Sequence, residues 1–145
     1  MARGDRGALA SLYDAYATTM LALATRILGD RRESEDLVHD VFLEAWRQSA
    51  DYDELRGTVR AWLLIRLRSR ALDRRKSARA TRVVSVDGGS LAPLVGDDDP
   101  SQSADHARVR HALAALPADQ RTVVELAYYE GLSSTEIAAR TSAPI

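Results

Sequence analysis

Three arginines, Arg66, Arg70 and Arg74, recur every four residues in the stretch TVRAWLLIRLRSRALDRRKS, and Arg56 and Arg60 continue the row toward the segment before it. At one helical turn per step, the three share a face. Planar, permanently charged guanidiniums at that spacing suit a phosphate backbone, which presents anionic acceptors at regular intervals. From Arg56 to Arg82 ten Lys or Arg, Arg75 among them, stand against one acid, Asp73, so the segment nets +9. The whole chain carries a formal −1, which leaves −10 for the remainder. A local positive block on a near-neutral chain is the footprint of a polyanion contact. A solvated helix face followed by a basic tail would leave the same mark.

Tyr52 and Trp62 lie at the loop end of this basic helix. Aromatics beside a basic groove stack on unpaired bases, although Trp62 reads equally well as a core residue. The connecting segment SADYDELRG, which contains Asp53, is short and polar and joins an acidic helix to the basic one. A pocket built from such a loop could hold a base extruded from a duplex and read its edge by hydrogen bonds.

Other chemistry has little to stand on. His39, His106 and His111 are the only histidines, cysteine is absent, and no serine or carboxylate sits in a nucleophile or acid–base setting. Glu35 and His39 share a face in ESEDLVHD, with Asp36 and Asp40 beside them, but a metal site would need further ligands from elsewhere. A solvated helix with acids near its start accounts for the same residues. There is no Gly-rich phosphate loop or dinucleotide fingerprint. The expectation is a non-enzyme without cofactor or metal.

The elements that must carry these residues are helical throughout. Apolar residues at helical spacing run from Ala8 to Leu28, where Gly29 acts as a stop. Asp30 and Glu33 have capping-box spacing and open a second helix to about Gln48, striped by Leu37, Val38, Val41, Phe42, Ala45 and Trp46. A loop over Ser49–Gly57 precedes a third helix from about Thr58 to Ser77, whose Leu64, Ile65 and Leu72 are expected to face the first two, with Arg68 near that side. Ser85–Asp105 is rich in Gly, Pro, Ser and Asp, the composition of a flexible acidic linker. Helical pattern returns over Asp105–Leu116, from Pro117 to about Glu130, and after Gly131, where Ser133 and Glu136 again have capping-box spacing. The expected architecture is all-α: two small helical modules, residues 1–82 and 106–145, joined by a linker over 83–105. The chain lacks an apolar signal core and a run long enough to span a bilayer, so a cytoplasmic protein without membrane insertion is expected.

In order, SEDLVHDVFLEAWR, GTVRAWLLIRLRSRALDRRKS and ALAALPADQRTVVELAYYEGLSSTEIAARTSAPI resemble a bacterial RNA polymerase sigma factor of the extracytoplasmic-function (ECF) type, over about half of the chain. The resemblance implies a three-helix sigma region 2 domain and a partial helix-turn-helix sigma region 4 domain. It also implies a transcription initiation factor that binds core RNA polymerase and recognises and melts the promoter −10 element on its non-template strand. Asp36, Asp40 and Phe42 fall in the polymerase-binding motif, which docks on a coiled coil of the large subunit; Phe42 reads there as core. With them, His39, Leu43, Glu44 and Arg47 make the expected polymerase-binding set.

The loop from Ser49 to Arg56 matches the segment that captures a flipped −10 base. Arg70 and Arg74 lie where the family contacts promoter strands, and Asp73 matches a motif aspartate that fixes the fold. The expected DNA-binding set is Tyr52, Asp53, Arg56, Arg60, Trp62, Arg66, Arg70, Arg74 and Arg75. His39 stands where family members often carry glutamine, and Arg66 where an apolar residue is commoner. The front resembles a trimmed start, and the family's recognition helix has no counterpart after SAPI, so no −35 specificity is expected. An alternative implied by the same resemblance is a form held by an anti-sigma factor, acting mainly through protein–protein contact. A third is a helix-turn-helix repressor of duplex DNA.

Overall fold

Gly29 and Asp30 set the first corner of the fold. Helix α1 (Arg6–Leu28) ends where Gly29 adopts φ +75° and its N–H donates to the Thr25 carbonyl at 2.8 Å, a left-handed turn that glycine takes without a Cβ penalty. Asp30 then caps α2 (Arg31–Arg47), its Oδ1 accepting the Glu33 N–H at 2.8 Å. Between α2 and α3 (Val59–Thr81) the chain makes two single 3₁₀ turns, Ser49–Asp51 and Glu54–Arg56. Three further helices follow: α4 (Pro100–Ala115), α5 (Ala118–Tyr129) and α6 (Ser134–Thr141). This is a computed structural model, and it describes residues 6–81 and 100–142. Among them there is no strand, so the fold is all-α.

The chain divides into two compact units at Gly96/Asp97. In the first, α1, α2 and α3 each pack on the other two. Their shared core is Met20, Leu23, Ala24 and Ile27 from α1, Leu37, Val38, Val41, Phe42 and Ala45 from α2, and Leu63, Leu67, Ala71 and Leu72 from α3. Phe42 is buried, and the Tyr13 ring lies 4.9 Å from it. The inward stripe of α3 differs from the expected one. Leu63, Leu67 and Ala71 form it at four-residue steps, Leu64 is half-buried, and Ile65 points outward at 70% exposure. A run of three apolar residues, Leu63 to Ile65, fits two helical registers, and packing against α1 and α2 selects one of them.

The second unit is built on local caps. Gly131, at φ +63°, follows α5. Ser133 and Glu136 then close a reciprocal capping box on α6, with Ser133 N–H donating to Glu136 Oε2 at 2.8 Å and Glu136 N–H to Ser133 Oγ at 3.3 Å. At the α4–α5 corner, Arg121 donates to three carbonyls of the end of α4: Leu113 at 3.0 Å, Ala114 at 2.9 Å and Leu116 at 3.1 Å. The last carbonyls of a helix lack intrahelical partners, and that of Leu113 also accepts the Leu116 N–H at 3.3 Å. Helix α4 begins at Pro100, five residues before the expected start at Asp105, because a proline in the first turn opens a helix with its φ already set. The rest of the expected linker, residues 83–99, lies outside the described residues.

Candidate nucleic-acid interface

The four-residue period that aligns Arg66, Arg70 and Arg74 on α3 also aligns Asp40, Glu44 and Gln48 on α2, and the fold sets the two rows against each other. Arg66 Nη1 donates to Glu44 Oε1 at 2.9 Å and to Gln48 Oε1 at 2.6 Å. Arg70 Nη2 reaches Glu44 Oε2 at 3.0 Å, and Arg74 Nη2 reaches Asp40 Oδ2 at 2.6 Å. Partner numbers fall along α2 as they rise along α3, so the helices run antiparallel and every rung joins a guanidinium to an oxygen acceptor. Glu44 thus serves two arginines.

The rungs differ in exposure. The Arg66 and Glu44 side chains each keep 24% of their surface, whereas Arg70 keeps 57% and Asp40 61%. An exposed pair contributes about 0.2–1 kcal/mol, little enough for a phosphate to replace the partner. The Arg66 pair is more enclosed, and water screens it less.

The expected DNA-binding residues are therefore placed in three ways. Arg66, Arg70 and Arg74 line the α2–α3 seam. Tyr52, Asp53 and Arg56 belong to the connecting segment: Tyr52 O–H donates to the Gly57 carbonyl at 2.9 Å, Asp53 Oδ1 accepts the Leu55 N–H at 3.0 Å, and Arg56 lies 3.7 Å from Asp53 with an 88% exposed side chain. Arg75 turns toward α1 and donates to the Ile27 carbonyl at 2.9 Å, helping to cap the end of that helix. Arg60 is half-buried near the start of α3. Asp73 is exposed on the same helix.

Trp62, open between core and base contact on sequence grounds, is half-buried in a stack. The Tyr52 ring lies 5.5 Å from it, tilted by 56°, and the Arg66 guanidinium sits 4.5 Å from its ring centroid. A cation at that distance is attracted to the indole face.

Of the expected polymerase-binding set, Asp40, Leu43, Glu44 and Arg47 line one open groove together with Gln48 and Arg70. Asp36 and His39 are exposed on α2 outside it. Sequence reasoning set the two groups on separate helices; the fold brings Asp40 and Glu44 of one onto Arg66, Arg70 and Arg74 of the other. Gln48 and Gly57 stand outside both expected sets. For Gln48 the available signal was its place one turn after Glu44, on the same face. The Glu35 carboxylate pairs with Arg31 at 2.8 Å, and no group of three or more His, Asp or Glu suited to a metal ion occurs among the described residues. No described helix is long and apolar enough to cross a membrane.

Comparison with known proteins matches this architecture in order. Residues 12–81, which span α1 to α3, match the family model for sigma-70 region 2, and residues 106–145 match that for sigma-70 region 4. The ECF RNA polymerase sigma factor SigK of Mycobacterium ulcerans is 36% identical over 144 residues, covering 97% of this chain and 77% of its own length. The SigK of Mycobacterium tuberculosis H37Rv is 34% identical over 143 residues, covering 96% and 76%. That of Mycobacterium sp. strain KMS is 34% identical over 147 residues, covering 99% and 76%. With both regions in sequence and this identity across nearly its whole length, the chain belongs to the ECF family of RNA polymerase sigma factors, which are transcription initiation factors.

Proposed function

We propose that this chain binds core RNA polymerase through α2 and recognises and melts the promoter −10 element through the connecting segment and α3, acting in the cytoplasm as a non-catalytic factor. The observation that carries the reading is the adjacency of Tyr52, Trp62 and the α3 guanidinium row. Stacking surface for unpaired bases thus lies at one end of a row whose further members, Arg70 and Arg74, can meet their phosphates. Selective binding of the separated non-template strand is what would make melting favourable, because a ligand shifts an equilibrium only by its differential affinity for the two states. Phosphates would meet the exposed Arg70 and displace the exposed Asp40 from Arg74, at little cost per pair. On α2, Asp36, His39, Asp40, Leu43, Glu44 and Arg47 would meet the polymerase.

The test is permanganate reactivity of −10 thymines in promoter complexes assembled with core polymerase. Arg70→Glu with Arg74→Glu is expected to abolish it, and Arg70→Gln with Arg74→Gln to reduce it while leaving the far-UV circular dichroism unchanged. Full reactivity in both variants would reject the reading.

A second reading, that an anti-sigma factor holds the chain, is supported by apolar side chains of the second unit. Val109, Val123, Val124 and Tyr128 are all exposed there. Co-elution with a partner protein in place of core polymerase would favour it.

A further inference from the structure

Arg66 differs from the arginines beside it. Arg70 keeps 57% of its side-chain surface and Arg74 35%, each with one carboxylate, whereas Arg66, at 24%, is enclosed by three side chains of different kinds. Its Nη1 is shared between Glu44 of α2 and Gln48 at the C-cap of that helix, and the guanidinium carbon lies 4.5 Å from the Trp62 ring centroid. Trp62 in turn packs on Tyr52, whose hydroxyl donates to Gly57 at the end of the connecting segment. The result is an unbroken series of contacts from α2 through Arg66, Trp62 and Tyr52 into the segment before α3. Both Nη1 donors are engaged within the protein and the side chain keeps only 24% of its surface, which leaves a phosphate little of this group to reach.

We propose that Arg66 is a positioning residue: it does not contact promoter DNA but holds Trp62 and Tyr52, and through them the base-reading segment, in place from α2. This rests on the proposed −10 recognition and assigns part of its specificity to a residue outside the contact surface. It also accounts for an arginine where an apolar side chain is commoner. One terminal nitrogen bonds both Glu44 and Gln48 while the guanidinium carbon lies over the indole, a cation–π contact to which a planar guanidinium is suited.

Salt dependence separates the two roles. A side chain that neutralises a phosphate contributes about one unit to the slope of log affinity against log salt concentration, whereas a positioning residue contributes none. The experiment uses the full chain assembled with core polymerase. Its DNA is the −10 sequence that this holoenzyme selects from a library randomised there, compared with the same promoter carrying a single base change at −10.

Arg66→Met is expected to lower the discrimination between the two by about tenfold or more, with the salt slope of the wild type retained. Arg66→Lys keeps the charge but loses the planar guanidinium over Trp62, and is expected to fail in the same way. An equal loss of affinity for both promoters, with a slope reduced by about one in Arg66→Met and restored in Arg66→Lys, would overturn the proposal while leaving −10 recognition intact. Unchanged discrimination and slope in both variants would also overturn it. A wild-type holoenzyme that selects no −10 sequence would overturn the underlying reading as well.

Discussion

Arg74 on α3 places its Nη2 2.6 Å from the Asp40 carboxylate on α2. One residue belongs to the expected promoter-contacting row and the other to the expected polymerase-contacting helix, so the two surfaces meet at shared ion pairs. What binds α2 carboxylates therefore alters the electrostatic setting of the α3 guanidiniums, and the reverse holds equally.

The seam has a hierarchy that stability measurements resolve. Glu44 accepts from two arginines and is three-quarters enclosed, whereas Asp40 is 61% exposed with one short ion pair. Removing the charge in Glu44→Gln is expected to cost about 1–2 kcal/mol, since hydrogen bonds to charged groups are among the stronger ones. Asp40→Asn should cost about 0–1 kcal/mol, as exposed pairs do. Urea unfolding of the two variants measures the difference, and equal costs would contradict the ranking.

The register of α3 makes a sharper contrast. Leu67 is fully buried and Ile65 is 70% exposed, two residues apart on one helix. Leu67→Ala should destabilise by about 2–5 kcal/mol, the cost of a core cavity. Ile65→Ser should stay within about 0.5 kcal/mol. The opposite order in a denaturant titration would show that the helix is rotated.

Gly57 sits at φ +144° and ψ +176°, and a Cβ built there meets nothing within 4 Å. The cost of Gly57→Ala is thus backbone strain alone, on the order of 1–3 kcal/mol. Because Tyr52 bonds to this residue's carbonyl, the variant should also change the fluorescence of Trp62, read in a Trp46→Phe background. An unchanged spectrum with unchanged stability would contradict the linkage.

In the second unit, Arg121 ties three carbonyls at the end of α4. Arg121→Met keeps the aliphatic stem and removes the donors, and is expected to cost about 1–3 kcal/mol. Faster amide hydrogen exchange in α4 and at the α4–α5 corner reports the loss; exchange at wild-type rates would contradict the capping role.

Helix boundaries marked by local chemistry are legible in the amino-acid sequence alone. Gly29 with Asp30, and Gly131 with Ser133, are stop and start signals that act within a few residues, and the fold uses them as read. The types of the interface residues are legible for the same reason, since a row of arginines declares its charge and spacing. What adjacency in space decides is not. The facing of Leu63 against Ile65 depends on α1 and α2, and the pairing of Arg66 with Glu44 and Gln48 depends on an antiparallel crossing that neither helix encodes alone. Pro100 is a start signal hidden within a composition typical of linkers.

If this factor opens promoter DNA by preferring its separated strand, that preference is directly measurable. The decisive comparison is holoenzyme affinity for the non-template −10 strand alone against the same sequence as duplex. At least tenfold tighter binding to the single strand is expected, equivalent to about 1.4 kcal/mol toward melting. Equal affinity for the two, or a preference for duplex, would contradict it.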